Sequence, residues 1–224
     1  MVSTGRIGEY LWRIVKHSSP PHHEPRRNAG ATRQRLQRAA LELFTSAGYR
    51  GTTTPALAQR AGVAEGTIYR HFSGKRHLYN VVYQATQGWA VDLVRELDNG
   101  EAGDTRNRLG RIARRLTESA ARDPAAVHML LARPSRELLD ETSHDASRRF
   151  LEAIERIVAE GKAAGAVRPG PADLWATVWL EVVGLALHQI ARREWPPDSP
   201  LTSHTIDAAW SAIGVADRGQ DPIP

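Results

Sequence analysis

The sequence predicts an all-α protein. Apolar residues recur at three- and four-residue intervals along most of its 224 residues. No stretch alternates apolar and polar residues with β-branched enrichment, as a half-buried strand would. The Thr, Asp, Gly and Pro residues between the apolar runs sit where helices start and stop. Four segments are expected: a flexible basic arm over 1–30, a three-helix domain over 31–77, a helical bundle over 78–216, and a disordered tail over 217–224.

In the arm, SSPPHHEPRRNAG from Ser18 is rich in proline, histidine and arginine and has no core periodicity. Its Arg26 and Arg27 read first as part of a solvated tail, with extra phosphate contact as the functional alternative. The short apolar patch from Ile7 to Val15 is interrupted by Glu9 and Arg13 and no small-residue cleavage site follows, so no signal peptide is expected and the protein is placed in the cytoplasm. From Thr32, the residues Leu36, Ala40, Leu43, Phe44 and Ala47 form a helical stripe that ends at Gly48.

The run TTTPALAQRAGVAEGTIYRHF, Thr52 to Phe72, is the most informative part of the chain. Thr53 or Thr54 caps a helix, because a hydroxyl oxygen accepts from an otherwise unpaired N–H, and Pro55 fits the first turn, where no N–H is needed. Leu57, Ala58 and Ala61 face inward, and Gly62 supplies the permissive backbone for the stop. A second helix starts near Ala64. Its Ile68 and Phe72 share one face, which directs Glu65, Thr67, Arg70 and His71 outward, while Ala64, Gly66 and Thr67 leave room for close approach to a surface. This is a helix-turn-helix layout, whose second helix suits the major groove of DNA.

Ser73 and Gly74 break that helix. A long one follows from Lys75 to Leu97, with the stripe Leu78, Val82, Ala85, Trp89, Leu93 and Leu97. After NGEAGD from Asn99, Asp104 caps a helix with Leu109, Ile112, Ala113 and Leu116 inward. Arg108, Arg111, Arg114 and Arg115 on it read as a solvated face, with Arg114 placed to pair with Glu118. A short helix, Ala125 to Arg133, follows Asp123-Pro124, and Pro134-Ser135 restarts the chain. The pattern Phe150, Ile154, Ile157, Val158 closes at Gly161–Gly165. Leu174 to Ala191 is nearly all apolar, but Glu181 and His188 lie within it and ARREW follows, so it reads as a bundle helix and not a membrane span. The last helix, Thr202 to about Val215, carries Ile206, Ala209, Trp210 and Ile213.

Charge separates the two halves. Residues 1–80 hold 13 Lys and Arg against 4 Asp and Glu, a net +9, while residues 81–224 hold 17 against 21, a net −4. The basic half attracts a polyanion through counterion release. No cysteine is present, which excludes disulfides and thiolate metal sites. His22-His23 and His144-Asp145 lack further ligands at metal spacing, so neither metal nor cofactor is expected. No phosphate-cradling glycine loop, HExxH, nucleophile elbow or paired carboxylate frame occurs, so no catalytic residues and no enzyme activity are expected.

Three spaced elements, LELFTSAGYRGTT from Leu41, AGVAEGTIYRHF from Ala61 and SGKRHLY from Ser73, agree in order and spacing with one family. From Arg33 to about Ala85 the chain resembles the TetR family of bacterial transcriptional regulators. The resemblance implies a homodimeric DNA-binding regulator, most often a repressor, with an N-terminal helix-turn-helix domain and a C-terminal helical bundle for ligand binding and dimerisation. Two readers on a two-fold axis would engage an inverted-repeat operator with half-sites roughly 34–36 Å apart. The competing reading is a helical adaptor, or degenerate regulator, that no longer binds DNA.

Carried over by position, the resemblance puts Thr53, Tyr69, His71 and Lys75 near phosphates and Glu65, Gly66, Thr67 and Arg70 near base edges. Thr53 and Tyr69 supply hydroxyl donors and Lys75 a point charge. Arg70 suits guanine O6 and N7, Glu65 cytosine N4, and the Thr67 methyl thymine. A small-molecule effector is implied too, with Trp89, His128, Met129, Trp175, Trp179 and His188 able to line an adaptable apolar site. The last two helices imply a four-helix dimer interface, through Trp179, Val183, Leu187, Ile206 and Trp210. Three positions depart from the family pattern: Pro55 where a polar residue is usual, Ala64 where a serine cap is usual, and Val183 where a subset carries histidine. Loss of the serine cap should cost about 1 kcal/mol of local stability.

Overall fold

The structure, a computed structural model, describes residues 25–98 and 104–215. The described segments are helical: α1 (Pro25–Ser46), α2 (Gly48–Gly51), α3 (Thr54–Ala61), α4 (Gly66–His71), α5 (Lys75–Leu97), α6 (Thr105–Arg122), α7 (Pro124–Leu130), α8 (Glu141–Ala163), α9 (Ala172–Ala191) and α10 (Pro200–Ile213). An isolated antiparallel bridge pairs Val167 with Gly214. Most of the predicted arm and the predicted tail lie outside the described residues.

The described residues form two compact units, one of residues 25–90 and 125–147, the other of residues 91–98, 104–124 and 148–215. In the first, α1 packs against α2 and α3, and α3 against α4. Leu36, Ala40, Phe44, Leu57, Ile68, Phe72, Leu78 and Val82 are among its buried apolar residues. Two expectations need correction. α1 begins at Pro25, inside the segment assigned to the arm, because a proline in a first turn lacks only an N–H that needs no partner there. The stripe also ends sooner than expected: Leu43 is half-buried and Ala47 exposed, since the chain turns at Gly48 into α2, a helix too short to show periodicity.

Behind the helix-turn-helix, buried Asn80 on α5 uses its whole carboxamide. Nδ2 donates to the Arg76 and Leu138 carbonyls at 2.9 and 3.0 Å, and Oδ1 accepts from Asp140 N and Ser143 Oγ at 2.8 and 2.6 Å. Gln84 Nε2 adds bonds to Asp140 Oδ1 and Ser143 Oγ, and Arg76 donates to the Leu138 and Leu139 carbonyls. Burial works against ionised Asp140, but the bonds from Ser143 and Gln84 outweigh it and hold its carboxyl below the usual range. The 138–143 stretch is thereby fastened to the first turns of α5.

In the second unit α9 packs against α10 and α6, and α10 against α6. Leu109, Ile112, Leu116, Ile154, Ile157, Trp179, Val183, Leu187 and Ile213 are buried there. Asp104 caps α6 by accepting from Asn107 N at 2.8 Å, as the sequence predicts. α8 passes so close to α6 that a methyl on Gly161 would lie 2.5–2.9 Å from side-chain atoms of Thr105, so only glycine fits. The arginines of α6 are not a plain solvated face. Arg108 bonds to buried Asp98 and to Glu160, each at 2.7 Å, Arg156 holds the other Asp98 oxygen at 2.9 Å, and it is Arg115, not Arg114, that reaches Glu118. By length and composition α9 is a helix that could cross a membrane; half of it is buried within the protein. α10 starts at Pro200, two residues before the expected Thr202, because Ser199 supplies the cap by accepting from Thr202 N at 3.2 Å.

Candidate nucleic-acid interface

Local signals build the reader as the sequence predicts. Thr53 Oγ1 accepts from Ala56 N at 3.3 Å, Pro55 sits in the first turn of α3, and Gly62 ends that helix in the left-handed region at φ 65°, ψ 44°. Val63 and Ala64 carry the chain round to α4, whose first turn is tightened by bonds from Thr67 N to Ala64 O and from Ile68 N to Glu65 O at 2.9 and 3.0 Å. No side chain caps α4, which is the consequence expected of Ala64. Ile68 and Phe72 are buried, while Tyr69 beside them in sequence is 58% exposed. Arg70 is also exposed and makes no hydrogen bond or ion pair among the described residues.

The remaining candidates are partly engaged within the protein. Glu65 accepts from Thr54 Oγ1 at 2.9 Å, tying the start of α4 to the start of α3. Thr67 and His71 are half-buried and Gly66 is exposed. Burial, with the charges of Arg33 and Arg70 beside it, keeps the His71 imidazole below the ordinary histidine value, so at neutral pH it is a neutral N–H donor and not a cation. Lys75 departs furthest from expectation. Its Nζ donates to the Tyr49 and Thr52 carbonyls at 2.9 and 2.7 Å and lies 4.4 Å from the centre of the Tyr49 ring. Two of the three ammonium N–H bonds thus hold the backbone that leads into α3.

Three supports were not foreseen. Arg33 on α1 donates to the His71 carbonyl at 2.9 Å with its guanidinium 4.4 Å from the Phe72 ring centre. Glu42 pairs with Arg38 at 2.7 Å and with Arg60 on α3, fixing α3 against α1; burial alone would raise its pKa, but the bonds from Arg60 and Arg38 outweigh this and lower it. Tyr49 and Tyr79 meet edge to face, each in ring contact with Phe44. The i, i+4 spacing of Arg38 and Glu42 was readable; the contacts of Arg33 with His71 and Phe72, of Arg60 with Glu42 and of Tyr79 with Phe44 and Tyr49 join residues far apart in sequence.

The predicted ligand residues do not all meet. A cleft of about 280 Å³ in the first unit is lined by Phe44, Thr45, Tyr79, His128, Met129 and Ala132, so His128 and Met129 are the two candidates it brings together. Burial pushes the Tyr79 phenol up to about 12, so it stays protonated there. Trp89 is buried in the same unit but outside that lining. Of the α9 residues, Trp179 is 1% exposed, Trp175 lies half-buried beside the Arg168 guanidinium, and His188 is exposed. Among the described residues no group of three His, Asp or Glu gathers as a metal site.

The dimer expectation is also corrected in part. Trp179, Val183 and Leu187 are buried in the second unit's own interior, so they are not available to a second copy. Ile206 and Trp210 are half-buried. The apolar surface left exposed on α9 and α10 is Leu174, Leu185 and Leu201, which the periodicity could not separate from the buried set because α9 is apolar on most sides.

Comparison with known proteins bears on this reader. A family model described as bacterial regulatory proteins, tetR family, matches residues 36–82. Over these residues the chain is similar to the TetR family of regulatory proteins. Over 59 residues the chain is 41% identical to the HTH-type transcriptional regulator SrpR of Pseudomonas putida, covering 26% of this chain and 28% of that one. The chain therefore spans well under two thirds of that relative's length. Two solved structures share the fold: one assigned to the TetR transcription regulators from Shewanella sp. PV-4, with a TM-score of 0.68 and 23% identity over 82% of this chain and 98% of that one, and the regulator FadR of Bacillus subtilis in complex with stearoyl-CoA, with 0.67 and 20% over 80% and 98%. The family match ends at residue 82, within α5.

Proposed function

We propose that the protein is a homodimeric transcriptional regulator, acting as a repressor, that binds an inverted-repeat operator in double-stranded DNA through α4. The observation that carries this is the two-sided character of α4: Ile68 and Phe72 are buried while Tyr69 and Arg70 stand exposed without partners among the described residues. Arg70 reads base edges, helped by Glu65 and Thr67, and Gly66 permits close approach. Thr53, Tyr69 and neutral His71 donate to phosphates. Lys75 keeps at most one donor for DNA, so its main part is to hold the entry to α3. The reader is residues 31–77, the regulatory and dimerisation part is 78–216, and the protein works in the cytoplasm.

Dimerisation is proposed through the exposed leucines of α9 and α10, Leu174, Leu185 and Leu201, which supply an apolar strip without using the core. A small-molecule effector is part of the proposal, by analogy with FadR, which was solved with stearoyl-CoA. The Phe44–Tyr79–Met129 cleft is one place for it, since Tyr79 contacts Tyr49, whose carbonyl anchors Lys75. The effector must bind the DNA-competent and DNA-incompetent shapes with different affinity to act as a switch. Selection of bound fragments from a genomic DNA pool tests the function and identifies the operator; recovery of no enriched sequence at low salt would favour the adaptor reading.

A further inference from the structure

We propose that Arg33 is a positioning residue of the reader: its guanidinium, clamped between the Phe72 ring and the His71 carbonyl, sets the direction in which α4 presents Tyr69, Arg70 and His71. This rests on the DNA-binding reading above and adds a residue that lies outside the helix-turn-helix itself.

α4 has six residues and no side-chain cap at its start, so few of its backbone bonds are its own. Its C-terminal end is tied down at two points. Phe72 is buried and its N–H returns to Ile68 O at 2.8 Å. The His71 carbonyl, which has no partner further along the helix, receives Arg33 Nη1 at 2.9 Å. A cation at a helix C-terminus also meets the negative end of the helix dipole. The Phe72 face 4.4 Å away holds the guanidinium plane in place, so the same side chain satisfies the terminal carbonyl and packs against the anchor residue. Because Arg33 stands on α1, the clamp sets the end of α4 against a helix fixed by its own core residues Leu36, Ala40 and Phe44.

Arg33 is half-buried, with burial lowering its pKa, which marks a guanidinium held among protein groups. Among the described residues, the charged and titratable groups around His71 are Arg33 from α1 and Arg70 from α4; His77 of α5 lies against the Phe72 ring and bonds to Ser73. Removing the Arg33 charge therefore gives a local reporter in His71 that needs no DNA.

The test compares R33M and R33K with the wild-type full chain in three measurements: affinity for the selected operator against a scrambled duplex, the slope of binding against salt, and the His71 titration followed by NMR in the free protein. R33M should lower operator affinity about tenfold, with little effect on the scrambled duplex, while leaving the salt slope intact. It should also raise the His71 pKa. R33K keeps the charge but not the planar stack, so His71 should titrate as in wild type while part of the operator preference is lost; it also serves if R33M does not fold. A slope flattened by about one, with both duplexes weakened alike, would make Arg33 a phosphate contact and overturn the proposal. Unchanged preference and an unchanged His71 titration in both variants would overturn it as well. Wild-type protein that binds no DNA would instead defeat the functional reading, with His71 still reporting on the clamp.

Discussion

Gly66 opens α4, yet nothing inside the protein requires glycine there. A methyl built on it meets no atom within 4 Å, and it is not among the glycines with positive φ. Replacing glycine by alanine within a helix is favourable by about 0.5–1 kcal/mol, from the reduced freedom of the unfolded chain. For a chain of this size that raises Tm by roughly 1–4 °C. If α4 enters the groove by its first turn, the same methyl is driven against base or sugar atoms. Overpacking of this kind costs about 1–3 kcal/mol, or roughly 5- to 150-fold in affinity. Gly66→Ala should therefore melt higher and bind its operator more weakly, two effects of opposite sign from one carbon atom. Thermal melts beside fluorescence anisotropy on a labelled operator measure both. A variant that is stabilised yet binds as tightly as wild type would show that the start of α4 does not approach DNA.

Replacing Arg70 by alanine should relax base preference at one operator position and cost about 1–3 kcal/mol there, as read by repeating the DNA selection; an unchanged preference removes Arg70 from base reading. Lys75→Met should lower both thermal stability and operator affinity through the Tyr49 and Thr52 carbonyls while leaving the salt slope intact, so a slope flattened by about one at unchanged stability would restore it to the phosphate contacts. Leu185→Glu should give monomers in light scattering with an ordinary melting profile, whereas Trp179→Ala should lose about 3–5 kcal/mol of stability from the core; a dimer that survives Leu185→Glu places the interface elsewhere. Glu42, whose folded pKa is depressed, adds stability that is complete above its unfolded value near 4.5 and is lost as pH falls through the lower folded value. Glu42→Gln should flatten that part of an acid denaturation curve, and an identical curve would mean that its arginine pairs add nothing.

The helix-turn-helix was legible because its signals are local. The Thr53 cap, the Pro55 first turn and the Gly62 stop each act within a few residues, and the Leu57/Ala58/Ala61 and Ile68/Phe72 stripes followed from one helical period. What was missed depends on contacts across the chain. Lys75 looked like a free charge because the carbonyls of Tyr49 and Thr52 are more than twenty residues away. Trp179, Val183 and Leu187 were assigned to a dimer face because a helix apolar on most sides does not declare which side meets its own bundle. The early start of α1 was hidden by a proline and a glycine that, at a first turn and within a long helix, do not break it.

The shortness of α4 carries one last implication. A peptide copied from Gly66–His71 would not hold a helical shape in water, since so few residues cannot recover the cost of nucleation. On the proposed reading of DNA by α4, specificity is accordingly a property that cannot be excised and transplanted as a linear epitope. Any smaller DNA-targeting reagent cut from this protein must retain α1 and the opening turns of α5, or it will contain the right letters with no one to pronounce them.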